Sequence, residues 1–347
     1  MTTPPTTSPA RNAPLDVAAV VVNFRTAEAT IDGVRVLVSE LGGARSPRVV
    51  VVDNDSRDGS YERLTQEFAD ARWQGQVAVI ASGHNGGYGF GINVGVRHLR
   101  GLPQPPAYVY VVNPDATIDP GALARLVAFM DQHPSTGMVG NRVYGDGDDS
   151  EVRAFRFPSF WGELELSAKT AVLTRLLRRH IVPMLPDQSC EVDWVSGASM
   201  LIRRTVFDTV GLFDEGYFLY FEEVDFARRL RDAGWKVHYV DGAGLRHVGS
   251  LATGMADQTR PMPAYWFQAR RRYFVKHHGP LYGAACDAAW LAGHALFVTK
   301  AKVLGRRPVL RPRLWRDFLR YSAANFLKPA PEAEQNAHRG AGLRPGT

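Results

Sequence analysis

A chain of 347 residues, 45% hydrophobic and 22% charged, carries enough apolar content for one large core or two modest ones, which excludes a disordered or fibrous protein. Its two cysteines, Cys190 and Cys286, stand far apart with no C-x-x-C, which excludes a disulfide framework and a cysteine zinc site and points to a reducing, cytosolic setting. The net charge of +6 is uneven: between Ala264 and Lys328 there are 13 Lys/Arg against two Asp, so this one segment holds the entire excess of positive charge.

Residues 1–14, "MTTPPTTSPARNAP", lack an apolar run and read as a disordered leader, not a signal peptide. Four short β-branched runs follow, at 16–23, 48–53, 76–81 and 107–113, with amphipathic segments between and after them. The clearest helix is 119–133, where Leu123, Leu126, Val127 and Met130 fall at i, i+3, i+4 and i+7. Strands alternating with helices predict an α/β fold with a parallel sheet, and ligands of such sheets bind beyond the carboxyl ends of the strands. Those ends are polar: Asn23, then Asp53-Asn54-Asp55, a run towards Asn85, and Asn113-Pro114-Asp115. Turn chemistry explains any one of them. Four in succession at one edge predict a shared polar site.

The third strand leads into "NGGYGFGINVG" (85–95), five glycines in eleven residues, of the kind that lets a backbone approach a phosphate or a flat ring. It is not the dinucleotide fingerprint, because Gly89 and Gly91 are followed by Val94 where the third glycine belongs, and it does not follow the first strand. No G-x-x-x-x-G-K-[ST] occurs in the chain, so a P-loop is excluded.

From about 145 to 190 the patterning weakens: "YGDGDDSEVRAF" is a loop and "WGELELSAKTAVLTRLLRRHIVP" reads as one helix. Regular patterning returns over 190–204, 213–235 and 236–250. Residues 264–328 read as two or three helices rich in Trp, Phe, Tyr and Arg. The longest stretch there free of Asp, Lys and Arg is Ala288 to Thr299, short of the roughly 20 apolar residues that span a bilayer. A basic amphipathic helix lying in an anionic membrane surface is one reading, with Arg270, Arg271 and Arg272 among its cations. A packed C-terminal subdomain with a solvated basic face, or a homo-oligomer contact, is the other. Residues 331–347 read as a disordered tail.

Taken in order, "VVNF", "VVDNDSRDGS", "NGGYGFGINVG", "NPDATI", "WVSGASMLIRR", "FDEGYFLYFEEVDFARRLRDAGW" and "RHVGS" resemble the family 2 inverting glycosyltransferases of the GT-A fold. Within that family the chain looks most like bacterial rhamnosyltransferases acting on polyprenyl-diphosphate-linked sugars. The resemblance implies a GT-A domain over 15–255, a Rossmann-like mixed sheet flanked by helices, followed by a helical, basic, membrane-associating extension over 256–330. It places a nucleotide-sugar donor against Asn23, Asp53, Asp55, Asn85, Gly86, Asn93, Asn113 and Asp115, with a polyprenyl-diphosphate-linked saccharide as acceptor. Asp115 matches the residue that binds Mg²⁺ or Mn²⁺ and His247 the histidine that completes the metal site, while Asn113 departs from the family's first Asp and suits ribose or water. "YFEEVDF" matches the signature whose second acid is the general base, here Glu223, a departure from Asp, with Glu222 and Asp225 beside it. Helix-start acids facing the dipole, Asp225 pairing with Arg228 or Arg229, are the plainer explanation of this triplet. Trp194, Ser196 and Gly197 fall on the acceptor side.

The donor implied is dTDP-L-rhamnose, with UDP-linked hexoses or galactofuranose as alternatives, and the place is the cytoplasmic face of the plasma membrane. A nucleotide-dependent oxidoreductase shares the alternating pattern but lacks the fingerprint. A nucleic-acid binder accounts for the basic segment but gives no reason for "NPD", "EEVDF" and "RHVGS", so nucleic acid is not an expected partner.

Overall fold

The computed structural model describes residues 15–42, 48–73, 75–145, 153–247, 257–306 and 310–328. The leader, the tail after 330, the boundary at 255/256 and the "VGS" after His247 lie outside the described residues. In chain order the elements are β1 (Val17–Asn23), α1 (Ala27–Leu41), β2 (Val49–Asp53), α2 (Ser60–Phe68), β3 (Val77–Ala81), α3 (Tyr88–Arg100), β4 (Tyr108–Val112), β5 (Ala116–Ile118), α4 (Ala122–Gln132) and β6 (Thr136–Tyr144). The second half adds β7 (Ala154–Phe155), α5 (Phe160–Ala168), α6 (Ala171–Leu176), β8 (Pro183–Met184), β9 (Cys190–Val192), β10 (Ser199–Arg203), α7 (Val206–Thr209), α8 (Glu222–Asp232), β11 (Lys236–His247), α9 (Ala264–Val303) and α10 (Leu314–Ala324).

The main sheet runs β3-β2-β1-β4-β10-β6-β11-β5, with β9 also paired to β11. The four β-branched runs pair in parallel, and every residue of β1 and β2 is buried, as strands covered on both faces require. Beyond β4 the direction changes, since β10 is antiparallel to both β4 and β6, so the sheet is mixed. One face packs residues of α3, α8 and α9 (Ile92, Leu99, Phe226, Phe274), and the other packs residues of α1, α2 and α4 (Ile31, Leu64, Leu126). Gly91 and Gly95 let α3 lie directly on β1: a Cβ added to either would stand 2.6 Å from Val22 or 2.5 Å from Val20. Two of the five glycines therefore serve helix–strand packing.

The stretch expected as one helix after residue 160 is two, because Lys169 takes a left-handed conformation (φ 46°) that ends α5 before α6 begins. Likewise α9 is two helices joined at Gly279, whose φ of 84° precedes Pro280. By length and composition α9 is long and apolar enough to cross a membrane, which the count of charge-free residues did not anticipate. Yet 39% of its apolar window is buried in the protein, against α5 and against α10, where Trp290 stacks on Phe318 at 4.2 Å.

The three arginines expected on a membrane surface are inside. Arg270 and Arg271 are 2% and 3% exposed. Arg270 binds Glu163 at 2.8 Å and Asp287 at 2.5 Å; Arg271 binds Asp287 at 3.3 Å and the Asn325 carbonyl. Arg272 forks onto Asp214 at 3.0 Å. The acids that neutralise them come from α5, from the loop before α8 and from the second half of α9. Their clustering in sequence thus reflects a folded interior and not a cationic surface.

Candidate active site

The carboxyl ends of β1, β2 and β4 meet β11 and the start of α8, and the polar residues gather there. Asn23 and Asp53 are register partners, joined by a 2.7 Å hydrogen bond from Asn23 Nδ2 to Asp53 Oδ1. Ser56 donates to Asp53 through its hydroxyl at 2.6 Å and its amide at 3.1 Å, while Thr26 and Thr30 donate to Asn23 Oδ1. This buried network fixes the turn that presents Asp55, which has φ 58° and pairs with Arg57. Asn54 continues it by donating to Asn85 Oδ1 and to the Gly87 carbonyl, both at 3.0 Å.

The glycine loop grips the segment that leads to α8. At Gly87 φ is 95°, and an added Cβ would stand 2.0 Å from the Phe218 carbonyl oxygen, which accepts the Tyr88 amide at 2.9 Å. Gly86 lies against the Phe90 ring. Asn93, expected beside the nucleotide, is fully buried and spends its amide elsewhere: Nδ2 donates to the Phe213 carbonyl and to Glu215, and Oδ1 accepts the Phe213 amide, all at 2.9 Å. It holds the 213–215 loop to α3.

Across the cleft, the antiparallel pairing of β11 with β5 sets His247 opposite Ala116. His247 Nε2 consequently stands 3.0 Å from Asp115 Oδ1 and 3.2 Å from Asn113 Nδ2. Among the described residues no three His, Cys, Asp or Glu side chains form a ligand cluster. One carboxylate and one imidazole, with open positions left for phosphate oxygens and water, suit a Mg²⁺ or Mn²⁺ held jointly by protein and substrate.

Opposite this pair, Tyr220 and Phe221 both adopt positive φ (70° and 68°) and turn the chain into the first residues of α8. Glu222 and Glu223 each have one carboxylate oxygen that is buried without a hydrogen-bond partner among the described residues. Burial, then the neighbouring Glu223 charge, raises the Glu222 carboxyl well above its ordinary range. Burial pushes Glu223 up to about 7. Its carboxyl faces Gly197, where an added Cβ would lie 3.7 Å from Oε1. Gly197 in turn accepts a 3.1 Å hydrogen bond from the Tyr88 hydroxyl, and the Asn113 amide donates to Ala198 O at 3.1 Å. Burial and the charges of Glu222, Glu223 and Asp115 all push the Tyr88 phenol upward. The sequence reading missed Tyr88; its signal was the one hydroxyl-bearing aromatic in a glycine run.

Asp225, two residues on, belongs to another environment. It is fully buried, paired with Arg229 at 2.8 Å, His277 at 2.8 Å and Lys276 at 2.7 Å. Burial alone would raise its carboxyl, but the His277 hydrogen bond and the Arg229 and Lys276 charges outweigh that and hold it well below the usual range. Asp225 ties α8 to α9, and Arg229 is the i+4 partner anticipated from the sequence. Trp194 stacks on Phe155 at 3.9 Å and donates to the Arg156 carbonyl, so its ring is partly covered, while Ser196 Oγ accepts the Ala198 amide at 3.3 Å.

The mixed α/β sheet, with acids and a histidine gathered at its carboxyl edge, has the GT-A architecture. Residues 14–274 match the family described as Glycosyltransferase like family 2, and the chain belongs to it. The match runs into the first half of α9, the part held to α8 through Asp225. An N-acetylglucosaminyl-diphospho-decaprenol L-rhamnosyltransferase of Mycobacterium tuberculosis is 30% identical over 226 residues, covering 62% of this chain and 70% of that one. Rhamnosyltransferase WbbL of Escherichia coli is 49% identical over 195 residues, covering 53% and 71%. The mannosyltransferase PcManGT of Pyrobaculum calidifontis, solved with GDP-Man and Mn²⁺, superposes with a TM-score of 0.52 over 92% of this chain and 91% of its own at 15% identity, a likeness of fold.

Proposed function

We propose that this glycosyltransferase moves L-rhamnose from dTDP-L-rhamnose, with inversion, to a hydroxyl of a polyprenyl-diphosphate-linked saccharide during bacterial cell-wall or surface-polysaccharide assembly at the cytoplasmic face of the plasma membrane. The observation that carries the chemistry is Glu223, an acid with a raised pKa whose carboxyl faces Gly197 and has one buried oxygen that is unpartnered among the described residues, together with the Asp115–His247 pair. Both rhamnosyltransferase relatives support the sugar, and the Mycobacterium tuberculosis one supports the lipid-linked acceptor.

In this reading the acceptor hydroxyl binds beside Gly197 and attacks the anomeric carbon from the face opposite the departing nucleotide, which inverts the centre. Glu223 accepts the hydroxyl proton; a base near neutral pKa is deprotonated often enough at working pH and still basic enough to take it. Asp115 and His247 would hold Mg²⁺ or Mn²⁺, which when bound supplies positive charge against the diphosphate leaving group. Asn113 stands beside them for ribose or a water ligand. The Asn23–Asp53–Ser56 network and the Asn54–Asn85–Gly87 contacts hold their loops rigid, so the nucleoside meets a surface already in place.

A donor screen tests the proposal. Nucleotide release from dTDP-L-rhamnose, UDP-hexoses and UDP-galactofuranose is measured with and without a divalent cation, and with an acceptor analogue carrying a diphospho-lipid N-acetylglucosamine. Metal-dependent consumption of dTDP-L-rhamnose ahead of the others is expected. Preference for a UDP-sugar overturns the donor assignment.

A further inference from the structure

Among the described residues, every large hydrophobic side chain that is exposed, apart from Tyr61, lies in one of two segments, 161–185 or 281–327. The segments are distant in sequence but adjoin in space. Gly293 of α9 fits so closely against α5 that an added Cβ would stand 2.1 Å from Ser167 Oγ, and the Lys169 ammonium lies 5.4 Å from the Phe297 ring centre. Helix α6, which follows α5, buries none of its residues; Val172 and Leu176, at i and i+4, are 69% and 73% exposed. A globular protein does not ordinarily leave such a collection of apolar side chains in water.

The charges around these side chains are mostly of one sign; the acids at the margins are paired, Asp187 with Arg153 and Asp317 of α10 with Arg316. From Leu166 to Pro186 there is no Asp or Glu, and Arg175, Arg178 and Arg179 are exposed. From Ala288 to Arg316 there is again no Asp or Glu, against seven Lys and Arg. Apolar side chains set among a clear excess of cations match the interfacial zone of an anionic bilayer, where tails accept the former and headgroups the latter. A second copy of this chain is a poor match, since a two-fold contact would set arginines against arginines.

We infer that α6, the second half of α9 and α10 form a docking face for an anionic lipid surface, with Val172 and Leu176 entering the headgroup boundary and Arg175, Arg178 and Arg179 binding lipid phosphates. The buried Arg270–Arg272 group takes no part. The inference rests on the lipid-linked acceptor only for its purpose, because its test reads lipid binding and not sugar transfer.

The full chain is co-sedimented with phosphatidylcholine vesicles with and without phosphatidylglycerol, across a salt series. Binding to the anionic vesicles that weakens with salt is expected. Val172→Ser with Leu176→Ser lowers the partition coefficient about tenfold or more. Arg175→Gln, Arg178→Gln and Arg179→Gln together lower it by about fivefold per charge on anionic vesicles only. Both variants keep the wild-type melting temperature and transfer to a short soluble acceptor. No vesicle binding, binding indifferent to these substitutions, or a dimer in ultracentrifugation that Val172→Ser and Leu176→Ser dissociate, overturns the inference. Vesicle binding by a protein that consumes no dTDP-L-rhamnose supports the docking face and overturns the substrate assignment alone.

Discussion

Glu223 and Asp225 lie two residues apart on α8, one facing the cleft and the other facing α9, and the two regions treat their acids in opposite ways. Under α9 the buried carboxylates have cations, Asp225 with Arg229, Lys276 and His277 and Asp287 with Arg270 and Arg271, as does the half-buried Asp214 with Arg272 and Lys276. In the cleft Glu222 and Glu223 have no such partner among the described residues, and burial raises both. An uncompensated buried acid is costly to the fold and persists where it does work, whereas a compensated one serves cohesion. The contrast separates chemistry from architecture within a single helix.

The largest effect is expected in the cleft. Asp115→Ala removes the one carboxylate of the Asp115–His247 pair and should abolish nearly all turnover while weakening donor binding, read by initial rates and calorimetry with dTDP and Mn²⁺. Full activity in excess EDTA would contradict this role. Glu223→Gln should lower kcat by about 10²-fold or more with little change in donor affinity. A dead Glu222→Gln with an active Glu223→Gln would move the base by one residue.

The α9 side should respond through stability. Arg270→Met leaves Glu163 and Asp287 buried without their shared cation, and unfolding free energy should fall by about 3–5 kcal/mol in chemical denaturation. A melting temperature equal to wild type would mean that the network holds nothing together. Gly87→Ala should also destabilise, because its Cβ meets the Phe218 carbonyl in a left-handed conformation.

The smallest effect is a difference in pH dependence, and the signs are opposite. Glu223 is raised from 4.5 to about 7, so the stability tied to its protonated form is present below 4.5 and lost as pH rises through about 7. Glu223→Gln should therefore raise the melting temperature at pH 8 and leave it unchanged at pH 4. Asp225 is depressed below 3.8, so its contribution is present above that value and lost as pH falls through its lower folded pKa. Asp225→Asn should thus cost stability at pH 7 and less in strong acid.

Much of this architecture was legible beforehand. Runs such as "VAAVVVN" announce strands covered on both faces, and the polar residues ending them do gather at one edge of the sheet. The strands of the antiparallel half were harder: Thr136–Tyr144 contains glycine and asparagine, and β11 carries a register shift between Tyr239 and Gly244, which blurs any period. At the site, the sequence pattern points to His247 and Asp115 as metal ligands, and the two side chains lie 3.0 Å apart. Asn93 and Arg270–Arg272 were misread because their partners are Phe213 and Glu215, and Glu163, Asp214 and Asp287. No local pattern announces a partner 120 residues away. A glycine run, similarly, does not reveal whether it admits a nucleotide, a valine of β1 or the Phe218 carbonyl.

The most direct test of the account is the pH dependence of kcat/KM for transfer from dTDP-L-rhamnose to a soluble acceptor, measured for wild type, Glu223→Gln and Glu222→Gln with the cation saturating. A wild-type rate that rises with pH through about 7, following deprotonation of Glu223, is expected, with a low rate in Glu223→Gln from which that rise is gone. A Glu223→Gln enzyme that keeps both the wild-type rate and its rise through neutrality would contradict it.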